Sequence, residues 1–311
     1  MKTNPKKETI LIALGGNALI RKEQMGTIEE QFENLKVPIR QIARLSEKYR
    51  IIITHGNGPQ VGNLLLQQEF CNAVPKLPLE ILVAQTQGQI GYMIESTLDS
   101  ELMKLGTQSE QCLISLISYV VVDEKDPAFD NPSKPIGPVY TKKEAAAIPH
   151  LVRHTAKGYR RVVVSPKPLT IVEKREIKKL IEMNFIVICC GGGGIPVVRE
   201  GRSFSGVDAV IDKDLASAKL AEEVGVELFI IATDVNGVAL NYGKSNQIFL
   251  RTLTQEDAAQ YQAEGHFPPG SMGPKIEAAV QFVKKCGKRA VITFIEEIEA
   301  AVEGKAGTEI I

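Results

Sequence analysis

Residues 190–218 read CGGGGIPVVREGRSFSGVDAVIDKDLASA and are the stretch around which we interpret the whole chain. An apolar run at residues 185–190 predicts a buried strand that leads into the four consecutive glycines 191–194. Because glycine lacks a Cβ atom, such a turn lets the backbone approach a ligand closely. The triplet DKD then opens a predicted helix, and its central Lys213 lies where free N–H groups favour an anion. The stretch therefore predicts a phosphate site.

A simpler interpretation of the same stretch stays open. Asp212 or Asp214 would cap an ordinary helix, since aspartate accepts hydrogen bonds from the free backbone N–H groups of a helix start. On that interpretation the turn only joins a strand to a helix, and it binds nothing.

The composition narrows the class of protein. The 311 residues are enough for one large α/β unit of two lobes or for two domains. Basic and acidic residues number 37 each, so the formal net charge is zero. Tryptophan is absent and aromatic residues make up 5% of the chain, which leaves few platforms for stacking bases. We therefore expect no nucleic acid partner.

Cysteine usage and the N-terminus predict where the protein resides. The five cysteines are an odd number without a C-x-x-C pair, which is typical of reduced thiols and a cytoplasmic protein. The N-terminus imitates a signal peptide, but the apolar run at residues 10–14 is too short for one. No apolar stretch approaches the ~20 residues that span a bilayer, so we expect no membrane partner.

Strand and helix patterns alternate along the chain. Continuous apolar runs predict buried strands at residues 9–14, 50–54, 112–122, 159–164, 185–190, 227–232 and 289–294. The segments between them predict helices, including residues 27–48, which Pro38 should kink or break. This order predicts an α/β fold whose parallel sheet is covered on both faces. Ligands bind such sheets beyond the carboxyl ends of the strands, where the glycine-rich loops lie.

Three short patterns resemble known binding motifs, but each lacks a feature that its motif requires. Residues 243–245 end like a P-loop, but its first glycine would fall on Val238. Residues 56–62 have one residue too many between glycines for the dinucleotide fingerprint, which makes a dehydrogenase a weak alternative. His150 and His154 lack a third ligand, so we expect no metal held by the protein alone.

Three lysines lie in unusual settings. Lys213 stands between aspartates, Lys275 follows a glycine-rich loop, and Lys134 lies in the proline-rich residues 126–140. Four prolines keep that segment from regular structure, so we expect a long extended loop. Taken alone, each lysine is typical of a solvated surface. Together they suit phosphoryl transfer, which needs mainly positioning and positive charge, and which needs no general base when the nucleophile is an anion.

Seven segments together resemble the carbamate kinases of the amino acid kinase superfamily. They are ALGGNAL (13–19), THGNGPQVGNLL (54–65), DPAFDNPSKPIGPVY (126–140), GGGGIPV (191–197), GVDAVIDKDLAS (206–217), TDVNGV (233–238) and FPPGSMGPKIEAA (267–279). The resemblance runs from residue 10 to residue 310, and residues 131–138 separate carbamate kinases from other amino acid kinases.

The resemblance implies a three-layer α/β/α sandwich with a mainly parallel central sheet. It implies a lobe for carbamate or carbamoyl phosphate at residues 1–182, a protruding subdomain inserted at about 118–158, and a nucleotide-binding lobe at 183–311. The implied enzyme is a homodimer that catalyses ATP + carbamate ⇌ ADP + carbamoyl phosphate, with Mg²⁺ carried by the nucleotide. We expect it to act catabolically and make ATP.

The resemblance also assigns roles to residues. Carbamate and the transferred phosphoryl group would contact Gly15, Gly16, Asn17, Gly56, Asn57 and Gly58. The nucleotide would contact Lys213, Thr233, Asp234, Val235, Tyr242, Pro269, Gly270, Ser271, Met272, Gly273 and Lys275. The catalytic residues would be Lys134, Lys213, Lys275 and Asp214, the last of which would orient two of the lysines. Relatives that act on acetylglutamate carry a lysine where this chain has Ala13, and Lys134 would replace that charge.

Two alternatives remain at this point. A different amino acid kinase, acting on acetylglutamate or UMP, is disfavoured by Ala13 and by the segment at residues 126–140. A sensor that binds nucleotide or carbamoyl phosphate without catalysis is disfavoured because the three lysines and Asp214 are all present.

Overall fold

The computed structural model describes residues 7–71, 73–107, 111–148, 150–155, 158–268 and 270–311. Its strands are β1 (Thr9–Leu14), β2 (Arg50–His55), β3 (Cys112–Ser115), β4 (Tyr119–Val122), β5 (Lys134–Tyr140), β6 (Val152–Thr155), β7 (Gly158–Val163), β8 (Pro168–Ile171), β9 (Phe185–Ile188), β10 (Ile195–Glu200), β11 (Ser203–Gly206), β12 (Leu228–Thr233), β13 (Ala239–Leu240), β14 (Ile248–Phe249), β15 (Thr252–Leu253), β16 (Arg289–Phe294) and β17 (Thr308–Ile310). Its helices are α1 (Ile28–Ser46), α2 (Gly58–Phe70), α3 (Leu79–Leu105), α4 (Lys142–Ala145), α5 (Lys174–Glu182), α6 (Lys213–Val224), α7 (Gln255–Ala263), α8 (Met272–Cys286) and α9 (Ile298–Val302).

The central sheet is mainly parallel. Within the described residues it has eight strands in the order β15-β17-β16-β12-β1-β2-β9-β3. Neighbouring strands run parallel except at β16 and β17, which pair antiparallel. The predicted α/β fold with a mainly parallel central sheet is confirmed.

Helices cover both faces of this sheet, as strand β1 illustrates. Successive side chains of a strand point to opposite faces. Leu11 and Ala13 join the core cluster that contains residues of α5, α6 and α8, whereas Ile10, Ile12 and Leu14 join the cluster that contains residues of α1, α3 and α9. Full burial of each larger side chain stabilises the fold by about 1.5–3 kcal/mol. The continuous apolar run thus follows from burial on two faces.

Besides the pair of β13 and β14, the described residues form two smaller sheets. One has the order β11-β10-β4-β8, and the other has the order β5-β7-β6. The second sheet rests on α2 at a point where two backbones meet. A Cβ atom on Gly62 would lie 2.1 Å from the Cα atom of Gly137, so only glycine fits at Gly62. We call the unit of β5, α4, β6 and β7 the small subdomain.

Three local expectations differ from the structure. Pro38 does not break α1, which runs unbroken from Ile28 to Ser46. Leu35 and Ile39 are buried on either side of the proline, and this packing offsets the one lost backbone hydrogen bond. Residues 112–122 form two strands in different sheets, because the chain leaves the central sheet after β3.

The expected loop at residues 126–140 is wrong for its second half. Residues 134–140 form strand β5, which pairs only with β7 and is therefore an edge strand of the small subdomain. Proline lacks an N–H donor and is tolerated at sheet edges, which explains how this proline-rich segment still forms a strand.

No helix in the described ranges is long and apolar enough to cross a membrane.

Candidate active site

A cavity of about 350 Å³ lies at the carboxyl ends of β1, β2 and β12. The structure brings to this first cavity every predicted substrate-binding residue and every predicted catalytic residue. They are Gly15, Gly16, Asn17, Gly56, Asn57, Gly58, Lys134, Lys213, Asp214 and Lys275.

Three helices begin at the first cavity. Helix α2 begins at Gly58, α6 at Lys213 and α8 at Met272, and the cap or first turn of each contributes to the cavity wall. Asp212 is the N-cap of α6, since its Oδ1 accepts the backbone N–H of Asp214 at 2.9 Å. Asp212 therefore caps the helix, as the simpler interpretation of this turn expected. The same helix starts also direct the positive ends of three helix dipoles at the cavity, which favours an anion there.

Asp214 bridges two lysines at the base of the first cavity. Its Oδ1 lies 2.7 Å from Nζ of Lys213, and its Oδ2 lies 2.9 Å from Nζ of Lys275. Nζ of Lys213 also donates to the carbonyl oxygen of Ala13 at 3.3 Å, at the end of the first strand. Only 4% of Asp214 is exposed. One buried carboxylate thus fixes the ammonium groups of two helices against β1.

The charges of this bridge depend on one another. Burial alone would raise the pKa of Asp214, but the charges of Lys213 and Lys275 outweigh it and hold that pKa well below its usual range. Burial lowers the pKa of Lys213, and Asp214 partly offsets this shift. Burial also acts to lower the pKa of Lys275, but Asp214 outweighs it and raises that pKa. Asp214 therefore favours the charged form of both ammonium groups.

Lys134 reaches the first cavity from the small subdomain. It begins strand β5, and its Nζ donates to the carboxylate of Asp212, the N-cap of α6. Lys134 of the small subdomain therefore lies at the helix start to which Lys213 belongs.

A second cavity of about 170 Å³ adjoins the first. Seven of the predicted nucleotide-binding residues line it: Thr233, Asp234, Val235, Tyr242, Ser271, Met272 and Lys275. Thr233, Asp234, Ser271 and Lys275 line both cavities, so the two cavities meet at these residues.

Of the other four predicted nucleotide-binding residues, Lys213 lines the first cavity. Gly270 also lines the first cavity. Gly273 faces a groove between α7 and α8, and its N–H donates to the carbonyl oxygen of Pro268 at 3.0 Å. Pro269 lies outside the described residues. Gly273 therefore shapes the loop and does not line either cavity.

The glycine turn at residues 191–194 packs mainly against the protein itself. A Cβ atom on Gly192 would lie 2.1 Å from Nδ2 of Asn57, and one on Gly193 would lie 2.5 Å from the carbonyl oxygen of Ile211. Both glycines have positive φ, at +65° and +91°, where other residues are strained. Of the four glycines, Gly192 belongs to the wall of the first cavity. The glycine turn was expected to approach a ligand closely, but it packs largely against neighbouring loops.

His55 is buried beneath this turn. It is 2% exposed, and a Cβ atom on Gly191 would lie 2.5 Å from its ring. Its Nδ1 lies 3.1 Å from the carbonyl oxygen of Gly56, which assigns the proton to Nδ1 as the donor. Burial lowers the pKa of His55 to about 4, so the ring is neutral at neutral pH.

Arg160 and Thr86 belong to the site but were not predicted from the sequence. Arg160 lines the first cavity. Its sequence signal is weak: successive side chains of strand β7 point to opposite faces, so Arg160 and Arg161 face opposite sides of the small subdomain. Thr86 accepts a hydrogen bond from Nδ2 of Asn57 at 2.8 Å and is fully buried. No sequence signal identifies Thr86, because a helix contributes it from a distant part of the chain.

Comparisons with known proteins agree with this geometry. Residues 8–293 match the amino acid kinase family. The carbamate kinase of Pyrococcus horikoshii is 46% identical over 312 residues, covering 97% of this chain and 99% of that protein. The carbamate kinase of Thermococcus kodakarensis is 47% identical over 312 residues, covering 97% and 98% of the two chains.

Solved structures give the same relationship. Carbamate kinase from Giardia lamblia bound to AMP-PNP superposes with a TM-score of 0.89 at 40% identity, covering 98% of this chain and 99% of that one. UMP kinase from Ureaplasma parvum, at 14% identity and a TM-score of 0.54, shares the fold alone. The chain therefore belongs to the carbamate kinases, within the amino acid kinase family.

Proposed function

We propose that this protein catalyses the reversible transfer of a phosphoryl group between ATP and carbamate, with ADP and carbamoyl phosphate as the products. The observation that carries the proposal is the bridge of Asp214 to Lys213 and Lys275 where two cavities meet. Two ammonium groups held by one buried carboxylate supply fixed positive charge. Such charge stabilises a phosphoryl group in transit, whose negative charge is spread over its oxygens.

The two cavities suggest where each substrate binds. On this proposal carbamate or carbamoyl phosphate occupies the first cavity, against the loops that follow β1 and β2. The nucleotide occupies the second cavity, with its base near Tyr242 and its phosphates directed at Lys275. The attacking oxygen of carbamate is already an anion, so the residues need only align the reactants and exclude water.

Lys134 would supply a third positive charge from the small subdomain. An ammonium group has three N–H donors, so the contact of Lys134 with Asp212 leaves two donors for substrate oxygens. We propose that the small subdomain, carrying Lys134, shields the reacting groups from water.

Mg²⁺ would enter with the nucleotide. In nucleotide sites Mg²⁺ is held by phosphates and water, with one or two carboxylates. Lysines engage the carboxylates of Asp212 and Asp214, whereas no ion pair among the described residues engages Asp234. Asp234 therefore fits this role, and the ion would neutralise charge on the phosphates.

We also propose a homodimer. Ile81, Tyr92 and Met103 are 42%, 66% and 52% exposed on α3. Their spacing of eleven residues is three helical turns, so they form one apolar stripe, next to the edge strand β3. A second copy of the chain is the proposed occupant, and light scattering of Tyr92→Lys tests it by asking whether the dimer dissociates.

Three finer statements stay predictions. We propose that the protein is cytoplasmic and works in the direction of ATP formation. The division into lobes at residues 1–182 and 183–311, with the small subdomain inside about 118–158, also stays a prediction. Cell fractionation, metabolite labelling in an arginine-fed culture and limited proteolysis would test these in turn.

A coupled assay tests the reaction. The purified protein should form ATP from carbamoyl phosphate and ADP, and a glucose-dependent indicator reaction reports that ATP. Acetylglutamate and UMP, offered with ATP, should not be phosphorylated. Phosphorylation of either compound without ATP formation from carbamoyl phosphate would assign a different amino acid kinase, and tight ADP binding without any turnover would favour the sensor.

A further inference from the structure

Arg160 is a cation in the first cavity that lacks an acidic partner. The other three cations of that cavity are paired: Lys134 with Asp212, and both Lys213 and Lys275 with Asp214. Among the residues that the structure describes, no carboxylate forms an ion pair with Arg160. Its neighbour Arg161 lies on the other face of β7 and pairs with Glu69 at 2.9 Å.

The guanidinium of Arg160 is held in place yet incompletely satisfied. Its Nη2 donates to the carbonyl oxygen of Gly137 at 2.7 Å. Its Nε is buried and has no hydrogen-bond partner in the described part of the chain. Burial lowers the pKa of Arg160 from its ordinary value, and Tyr140 partly offsets this shift. A guanidinium has five N–H donors, so most of them remain for a ligand.

An unpaired cation beside a cavity is unfavourable unless an anion neutralises it. The fork of a guanidinium matches the paired oxygens of a carboxylate or a phosphate. Arg160 lines the first cavity and not the second, so the anion belongs to the carbamoyl side of the site and not to the base of the nucleotide. The bond to Gly137 also ties Arg160 to strand β5, which carries Lys134.

We propose that Arg160 is a substrate-binding residue that pairs with the anionic oxygens of carbamate and of carbamoyl phosphate. This inference rests on the function proposed above and adds a residue to its substrate site. Arg160 and Lys134 lie on adjacent strands of the small subdomain, and both line the first cavity. The substrate would thereby hold the small subdomain over the site.

Steady-state kinetics of Arg160→Gln and Arg160→Lys test the proposal. With carbamoyl phosphate and ADP as substrates, Arg160→Gln should raise the KM for carbamoyl phosphate by about tenfold to a hundredfold, the effect of losing a charge-assisted hydrogen bond. The KM for ADP should change by less than about threefold, because Arg160 does not line the second cavity. Arg160→Lys keeps the charge without the fork, so it should recover part of the loss.

Arg161→Gln is the matched control. It removes the neighbouring cation and its pair with Glu69 but leaves the first cavity unchanged. Its KM for carbamoyl phosphate should stay within about threefold of the wild-type value. An equal rise in Arg161→Gln and Arg160→Gln would overturn the proposal and assign the effect to docking of the small subdomain.

Two further outcomes decide the remaining cases. An unchanged KM for carbamoyl phosphate in Arg160→Gln would overturn the role of Arg160 while the proposed reaction stands. Absence of ATP formation by the wild-type protein would overturn the proposed reaction itself. If Arg160→Gln does not fold, Arg160→Lys decides alone: a rise in the KM for carbamoyl phosphate supports the proposal, and a wild-type KM overturns it.

Discussion

Replacing Asp214 by asparagine should uncouple the two lysines at the base of the site. The change keeps the shape of the side chain and removes its charge. Asp214 makes two charge-assisted contacts, at 2.7 Å and 2.9 Å, and each such contact is worth about 1.5–3 kcal/mol. Breaking a buried ion pair on one side costs about 3–5 kcal/mol, which agrees with that sum. We therefore expect a loss of unfolding free energy of this size.

The same substitution should lower turnover and change its pH dependence. Burial already lowers the pKa of Lys213, and Asp214 is the main group that offsets this shift. Without the carboxylate, the pKa of Lys213 falls further, so a larger fraction of Lys213 is neutral at pH 7.5. We expect turnover at pH 7.5 to drop by about a hundredfold, the effect of one missing preorganised charge. Lowering the pH should restore part of it, since Lys213 is then protonated again.

Two assays separate these effects. Urea denaturation with and without ADP gives the unfolding free energy, and the coupled assay between pH 6 and pH 9 gives turnover. Glu277→Gln is the control, because it breaks the exposed pair with Lys167 and should change the stability by less than about 1 kcal/mol. Wild-type turnover in Asp214→Asn would refute the idea that this carboxylate positions the lysines. A loss of stability with normal turnover would limit Asp214 to a structural role.

Three further variants test separate parts of the site. Lys134→Ala should lower turnover by about a hundredfold while calorimetry shows unchanged ADP affinity, and normal turnover would remove Lys134 from the catalytic residues. Thr86→Val should raise the KM for carbamoyl phosphate by about two- to tenfold, because the amide of Asn57 loses its acceptor, and Thr86→Ser should restore it. Since the pKa of His55 is about 4 when folded and ~6.5 when unfolded, its contribution to stability is complete above pH 6.5 and is lost towards pH 4. Urea denaturation should show a loss of about 2 kcal/mol between pH 7 and pH 5 that is absent in His55→Gln, and an equal loss in that variant would contradict this.

The central layer of the fold is predictable because its signals are local. The run TILIAL is apolar at every position after Thr9, and β1 occupies the predicted residues 9–14. The run at 227–232 likewise corresponds to β12. A strand that is buried on both faces is a continuous apolar run without alternating polar residues, so its own sequence is enough to identify it. The position of the glycine loops at the carboxyl ends of these strands follows from the parallel order alone.

The features of the site that could not be predicted from the sequence depend on contacts between distant segments of the chain. Strand β5 forms because β7 supplies hydrogen bonds to a proline-rich edge, and neither segment indicates this alone. The glycine turn at residues 191–194 faces Asn57 and Ile211, so its steric reason lies in other loops. Thr86 acts on a side chain 29 positions earlier in the chain. Resemblance to a family implied the roles of the lysines and the position of Asp214 between Lys213 and Lys275, whereas nothing in the sequence indicated the pair of Lys134 with Asp212.

The distribution of charge explains how a protein with no net charge can bind two anionic substrates. The described wall of the first cavity contains the cations Lys134, Arg160, Lys213 and Lys275, and it contains the carboxylates Asp212, Asp214 and Asp234. The carboxylates of Asp212 and Asp214 orient lysines, and each oriented ammonium keeps donors for a ligand. Four cations against three anions leave an excess of one positive charge, and three helix dipoles add to it. Asp212 and Asp214 pair with the three lysines, whereas Arg160 forms no ion pair with a carboxylate among the described residues. Arg160 therefore offers an arriving anion a cation without a paired carboxylate in the described part of the chain, on the strand next to the one that carries Lys134.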